Sequence, residues 1–351
     1  MKIIKKTLKY LGILLLIIAS VVGVFFYCFF TINNNIYLET PEELQAEFGT
    51  FEEGEILKKE KIAPFKIWVI SLAGIVFPKQ KEKFNSLNST ELYAIAYKSD
   101  DLIVHGLLAL PEKEGNFPCL IYNRGGNRNS GRLTFHQAFE FMIPYANEGY
   151  VVIASNYRGN NGGQGNDEFG GSDIKDVMNL RKVLPEIEQA DTSRIGLIGH
   201  SRGGMMTYLA LQNHNIFKTA VVLAGSADKY STIAHRPNME TYVFAETMPD
   251  YYNRKEEHLF NRSVVRWPEK LDDIPILLVH GSADDRVTYE EAETVAHKLD
   301  GLDRDFQFIT VEGGGHSLRG TSYKRNVKSW LDKYLRNDLE FEETERRISI
   351  P

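Results

Sequence analysis

The sequence predicts an α/β fold: a mostly parallel central sheet covered by helices on both faces, with a small cap insertion and one N-terminal transmembrane helix ahead of it. Three observations carry this. Between 117 and 335, short apolar runs alternate with amphipathic stretches, the pattern of strand–helix units that bury both faces of a sheet. Among them, Ile195-Gly196-Leu197-Ile198 runs into Gly199-His200-Ser201-Arg202-Gly203-Gly204 and on into Met205–Leu211, which reads as strand, tight turn and helix. Near the start, Leu11 to Ile32 runs for 22 residues without a charge, long enough at about 1.5 Å per residue to span a hydrocarbon core of about 30 Å.

Composition narrows the function classes. The chain has 351 residues, 43% hydrophobic and 25% charged, with a formal net charge of -6, so it is globular and offers no basic footprint for nucleic acid. No nucleic-acid partner is expected. Cys28 lies in the apolar run and Cys119 in an expected central strand, so no disulfide is expected between them.

Residues 1–10 form a basic flank with Lys2, Lys5, Lys6 and Lys9. The apolar segment 11–32 is longer than the roughly 7 to 15 residues of a secretory signal core. It ends in Phe25-Phe26-Tyr27-Cys28-Phe29-Phe30 with no small-residue cleavage site, so it is expected to remain as a signal-anchor. Thr31 to Leu57 carries seven glutamates and no Lys or Arg, which by the positive-inside rule puts the N-terminus in the cytoplasm and the rest outside. Residues 33–90 read as a linker or extension, with a short helix from Pro41 to Phe48. The apolar run Phe65 to Phe77 is too short to span, and fits a core strand or helix better than an interfacial membrane segment.

The catalytic domain is expected over 91–336. Tyr93, Ile95 and Tyr97 alternate with smaller residues, Ser99-Asp100-Asp101 turns, and Leu102 to Leu110 runs back as the second strand of a hairpin closed by Pro111. Strands follow at Phe117–Tyr122, Tyr150–Ser155, Ala220–Leu223, Ile274–Gly281 and Phe306–Val311. Helices are expected over about Thr134–Asn147, from Asp173, after Ser201 to about Asn213, over Tyr289–Leu299 and Tyr323–Leu335. The stretch from Gly159 to Gly171 reads as a solvent-exposed loop, lacking the carboxylate spacing of a calcium loop. Between about 226 and 271 the alternation lapses, where a cap over the site would fall. The tail 337–351 is highly charged and expected to fray.

The chemistry follows from the turn at Ser201. A serine at the tip of a strand-to-helix turn exposes its hydroxyl, and the turn places the Arg202 N–H at a helix N-terminus, where it can donate to a developing oxyanion. A serine needs a base, and the base an orienting acid. His316 in Gly313-Gly314-Gly315-His316, past the last strand, is the expected base. His280 fits a hydrogen-bonded core histidine better, and His200 is poorly directed for the role. Asp284 is preferred as the acid over Asp285, which adjoins Arg286. A second oxyanion donor is expected from Gly125, Gly126 or Asn127, after the strand ending at Tyr122. Arg124 is a candidate for holding an anionic substrate group, with a loop carboxylate as the competing partner. No zinc, Walker or dinucleotide pattern is present, and neither metal nor cofactor is expected.

These pieces resemble the catalytic domain of the prolyl oligopeptidase family of serine peptidases, within the α/β-hydrolase superfamily. The resemblance rests on Lys98-Ser99-Asp100-Asp101 with Gly106–Pro111, on Asn156-Tyr157-Arg158-Gly159, and on Asp191–Gly196 leading to Gly199–Gly204. Arg262-Ser263, Ile274–Val287 and Gly315-His316 complete it, over about residues 90 to 335. It implies hydrolysis of peptide or amide bonds through an acyl-enzyme, and it supports Asp284 as the triad acid. Residues 33–90 are too few for the β-propeller that oligopeptide-cleaving members carry, and Arg124-Gly125-Gly126 stands where the family has a His-Gly-Gly or Tyr-Gly-Gly segment. The expected partners are a small peptide or ester substrate and, through the N-terminal helix, the membrane. The alternatives are a carboxylesterase, a membrane-lipid hydrolase, or a non-catalytic binding protein on a hydrolase scaffold.

Overall fold

The computed structural model describes residues 2–34, 38, 40–48, 52–62, 78, 81, 85–212, 214–318 and 322–336. The apolar run Phe65 to Phe77 and the tail 337–351 lie outside the described residues. Helix α1 (Lys2–Asn34) contains the expected apolar span. Over Lys6–Val24 its mean hydropathy is 2.2, and side chains such as Leu16 stand exposed. Helix α2 (Pro41–Phe48) opens on Thr40, whose side chain and Glu43 cap each other's backbone as a capping box.

Nine strands form one sheet in the order β1-β2-β3-β5-β4-β6-β7-β8-β9. The first three, β1 (Ile56–Lys61), β2 (Thr90–Ser99) and β3 (Leu102–Pro111), pair antiparallel, and β3 joins β5 (Val151–Ser155) antiparallel. The remaining strands run parallel: β4 (Phe117–Asn123), β6 (Ala190–His200), β7 (Thr219–Leu223), β8 (Ile276–Gly281) and β9 (Phe306–Val311). The register aligns Asn123 with Gly199, His200 with Leu223 and Gly281 with Val311, so the loops after β4, β6, β8 and β9 emerge at one edge. The strand order reverses at β4, whose exit loop lies beside that of β6, and such a switch point opens a crevice for ligands.

Side chains alternate between two cores. Along β4, Cys119 and Ile121 face one cluster and Leu120 and Tyr122 the other. The first face is covered by α5 (Ile174–Val183), α6 (Arg202–Ala210) and α9 (Tyr289–Gly301). The second is covered by α3 (Phe135–Phe141), α4 (Ile143–Asn147) and α10 (Ser322–Leu335). Between β7 and β8 runs a helical excursion with α7 (Lys229–His235), a π-turn at Glu240–Phe244 and α8 (Lys255–Asn261), at the place expected for a cap.

Several boundaries differ from expectation. The helix expected over Thr134–Asn147 divides at Met142, because Pro144 cannot donate an N–H to the preceding turn and instead sits in the first turn of α4. Helix α5 ends at Val183 and passes into a short 3-10 turn, Leu184–Glu186, that holds Pro185. Strand β1 arises within the extension, and β6 begins at Ala190, upstream of a register shift opposite Pro118/Cys119. The stretch from Gly159 to Gly171 is not a solvent-exposed loop: Asn160, Asp167 and Phe169 are buried, as is Asp173 just beyond.

Candidate active site

Ser201 sits between β6 and α6 with φ 60 and ψ -121, a conformation that costs a non-glycine residue on the order of 1–3 kcal/mol and persists only where neighbours impose it. They do so here through hydrogen bonds. Ser201 N donates to Leu223 O at 3.0 Å, and Ser201 O accepts from Gly204 N at 2.9 Å and Ser226 N at 3.1 Å. The flanking glycines are required by close approach. A Cβ on Gly199 would lie 2.2 Å from Gly203 O, and one on Gly203 would lie 1.8 Å from Asn123 O.

Strand β9 stands three strands from β6, about 14 Å at about 4.8 Å per step. The loop carrying His316 must therefore cross back over the ends of β8 and β7. Two contacts guide it. Gly281 lets the chain pass, since a Cβ there would lie 2.1 Å from Gly314 O, and Ala283 N donates to the same carbonyl at 2.9 Å. At the far end His200 Nε2 donates to His316 O at 2.9 Å. Burial pushes the His200 imidazole down to about 4, so it is neutral and keeps its proton on Nε2 for this bond. Its ring lies against Phe141 and His316, with centroids 5.7 and 5.1 Å away.

The loops bring the three expected side chains into line. Ser201 Oγ is 2.9 Å from His316 Nε2, and His316 Nδ1 is 2.9 Å from Asp284 Oδ2 and 3.1 Å from Oδ1. Asp284 is buried, while Asp285 stands exposed. Burial opposes ionisation of Asp284, but the nearby His280, the hydrogen bond from His316 and those from the amides of Arg286 and Val287 outweigh it and hold the carboxyl well below its usual range. His280 is the expected core histidine. Its Nε2 donates to Val287 O at 2.9 Å and lies 3.3 Å from Asp284 Oδ2, a contact the sequence did not announce.

Arg202 opens α6, so its amide stands in the first turn beside Ser201. Its side chain is buried and makes two bonds to Asp167, Nη1 to Oδ2 at 2.9 Å and Nη2 to Oδ1 at 2.6 Å, and one from Nη2 to Asp173 Oδ2 at 2.6 Å. Burial works against the Asp167 carboxylate, and Arg202 more than offsets it, keeping its proton affinity low. These partners were missed because the stretch looked solvated; the buried Phe169 between them was the available cue.

Arg124 does not serve as a substrate anchor. Its guanidinium is fully buried and donates to the carbonyls of Asn156, Gly125 and Arg128, so neither a substrate anion nor a loop carboxylate is its partner. Burial and the nearby Arg202 push it down to about 10, which leaves it a cation. Of the three loop residues, Gly125 is the one shown against Ser201: a Cβ there would lie 3.1 Å from His200 O and 3.2 Å from Ser201 Cβ. A Cβ on Gly126 would lie 2.1 Å from Ser130 O, and Asn127 bridges to Ser130. Arg128 then ties this loop to the cap by an ion pair with Glu246 and a bond from Nη2 to Tyr242 O at 2.6 Å.

A serine, histidine and carboxylate in this order, on an α/β sheet with its elbow between β6 and α6, is the arrangement of a serine hydrolase. The prolyl oligopeptidase family model matches residues 135–340. The chain belongs to the prolyl oligopeptidase family. Among relatives of this family member, the uncharacterized peptidase YtmA of Bacillus subtilis (strain 168) is 30% identical over 265 residues, covering 74% of this chain and 98% of YtmA. The prolyl endopeptidase FAP of Bos taurus is 26% identical over 71% of this chain, which spans only 34% of that protein. Among solved structures, the uncomplexed acylaminoacyl peptidase of Pyrococcus horikoshii superposes with a TM-score of 0.64 at 24% identity, over 78% of this chain and 45% of that one, a likeness in fold alone. With that family and those relatives, the chain is a serine hydrolase.

Proposed function

We propose that the chain is a membrane-anchored serine peptidase whose domain faces away from the cytoplasm and hydrolyses peptide or amide bonds through an acyl-enzyme. The reading is carried by one observation, the unbroken chain of hydrogen bonds from Ser201 Oγ through His316 to Asp284. In this reading Ser201 Oγ attacks the scissile carbonyl as His316 Nε2 takes its proton. The tetrahedral oxyanion is met by the amides of Arg202 and Gly125. His316 then returns the proton to the leaving amine, which departs and leaves an acyl ester on Ser201. Water, deprotonated by His316, repeats the sequence and frees the acid. Asp284 stays ionised and holds His316 with its proton on Nδ1.

The anchor rests on the 22 uncharged residues from Leu11 to Ile32, and the orientation on four lysines before the span against seven glutamates after it. A membrane-impermeant fluorophosphonate added to intact cells is expected to label the wild type and not Ser201→Ala. Equal labelling of both would remove Ser201 as nucleophile, and with it the catalytic reading. Labelling of the wild type only after lysis would reverse the orientation.

A further inference from the structure

The loop proposed to supply the second oxyanion donor is held from behind by three side chains acting on three consecutive carbonyls. The Tyr157 hydroxyl donates to Arg124 O at 3.0 Å, Arg124 Nη1 donates to Gly125 O at 3.1 Å, and Arg202 Nη1 donates to Gly126 O at 3.2 Å. Tyr157 joins these groups. Arg124 Cζ lies 4.7 Å and Arg202 Cζ 4.9 Å from its ring centroid, and Arg202 also lies 4.5 Å from the Phe169 centroid. The tyrosine is fully buried and its own backbone is held at φ 64, in the left-handed region.

A trans peptide directs its N–H opposite its C=O within one plane, and no described peptide bond is cis. A hydroxyl that fixes Arg124 O therefore also fixes the direction of the Gly125 N–H. We infer that Tyr157 is a positioning residue of the oxyanion site, its hydroxyl setting the Arg124–Gly125 peptide plane so that the Gly125 amide faces the developing oxyanion. Tyr157 does not touch substrate; it acts through Arg124 and Gly125. The inference rests on the serine hydrolase reading above, and the test separates the two.

The full chain in detergent micelles is assayed with p-nitrophenyl acetate, and with phenylboronic acid as a reversible inhibitor whose boronate oxygen would occupy the oxyanion site. Deleting one oxyanion donor outright costs about 10²–10³ in kcat, so misdirecting it in Tyr157→Phe is expected to cost about 10- to 100-fold. KM should stay within about threefold, and phenylboronic acid binding should weaken in parallel with kcat. Tyr157→Asn, which tolerates the left-handed backbone at 157 but is too short to reach Arg124 O, is expected to show the same kcat-selective pattern and serves if Tyr157→Phe does not fold. A folded Tyr157→Phe with kcat within twofold of wild type, with its loss confined to KM, or with unchanged phenylboronic acid binding overturns the inference. Ser201→Ala should be inactive in the same assay; wild-type activity there would overturn the underlying reading, and this inference with it.

Discussion

Two neighbouring aspartates illustrate what decides function at the level of a residue. Asp284 and Asp285 follow the same strand, yet Asp284 is buried with His316 and the amides of Arg286 and Val287 donating to it, while Asp285 stands exposed. Asp284→Asn should remove the carboxylate that holds His316 in the right tautomer and lower kcat by about 10⁴-fold, whereas Asp285→Asn should stay within about twofold. Steady-state kinetics on the two variants checks this. Sequence alone preferred Asp284, because Asp285 adjoins Arg286, and the family resemblance supported it, but neither held a cue to its contact with His280. His200 supplies a second residue-scale test. Its imidazole has an ordinary value of 6.5 and is pushed down to about 4 in the fold. Between these values the unfolded chain binds the extra proton, so the stability His200 contributes is complete above about 6.5 and is lost as pH falls toward 4, by about 3 kcal/mol at most. The difference in melting temperature between wild type and His200→Gln should therefore shift against the wild type over that range. A constant difference would mean that His200 is not buried neutral.

The elements most legible in the sequence are those whose pattern and punctuation agree. Strand β9 has the expected bounds, and the β2–β3 hairpin turns at Asp100, because alternating apolar residues end at clear turn residues. Strand β1 was missed for the converse reason. As an edge strand, Ile-Leu-Lys-Lys-Glu-Lys presents charges where an interior strand would show apolar residues, and it reads as linker. The stretch from Gly159 to Gly171 misled in the other direction. Its glycines and acids suggest solvent, yet Asp167 and, just past it, Asp173 are buried on Arg202, a partner distant in sequence that no local pattern announces. What brings His316 to Ser201 is a property of the loop after β9 and not of either side chain alone. Gly281→Ala should therefore push Gly314 and displace His316, and a displacement of about 1 Å costs about 10²-fold in rate. The variant should remain folded, with kcat reduced far more than its melting temperature implies; unchanged kcat would mean that the loop accommodates the methyl group without moving His316.

For the whole molecule, fold and family were within reach of the sequence because the sheet, its helices and the turn at Ser201 are set by local pattern. The substrate was not, because contacts such as the bond from Arg128 to Tyr242 join residues about a hundred apart, which no local pattern announces. The relatives do not supply it either. The chain spans nearly all of YtmA, itself uncharacterized, but about a third of the prolyl endopeptidase FAP, so the activity of that larger protein does not transfer by similarity. Esters have better leaving groups than amides, and ester turnover alone would be met by either a peptidase or an esterase. The central claim, amide hydrolysis by Ser201, is therefore tested most directly by matched substrates carrying one acyl group, as an aryl ester and as a peptide anilide, on wild type and Ser201→Ala. The expected result is turnover of both substrates by the wild type and of neither by Ser201→Ala. Ester turnover without anilide turnover across a panel of acyl residues would contradict it, and would make the chain a carboxylesterase built on a peptidase fold.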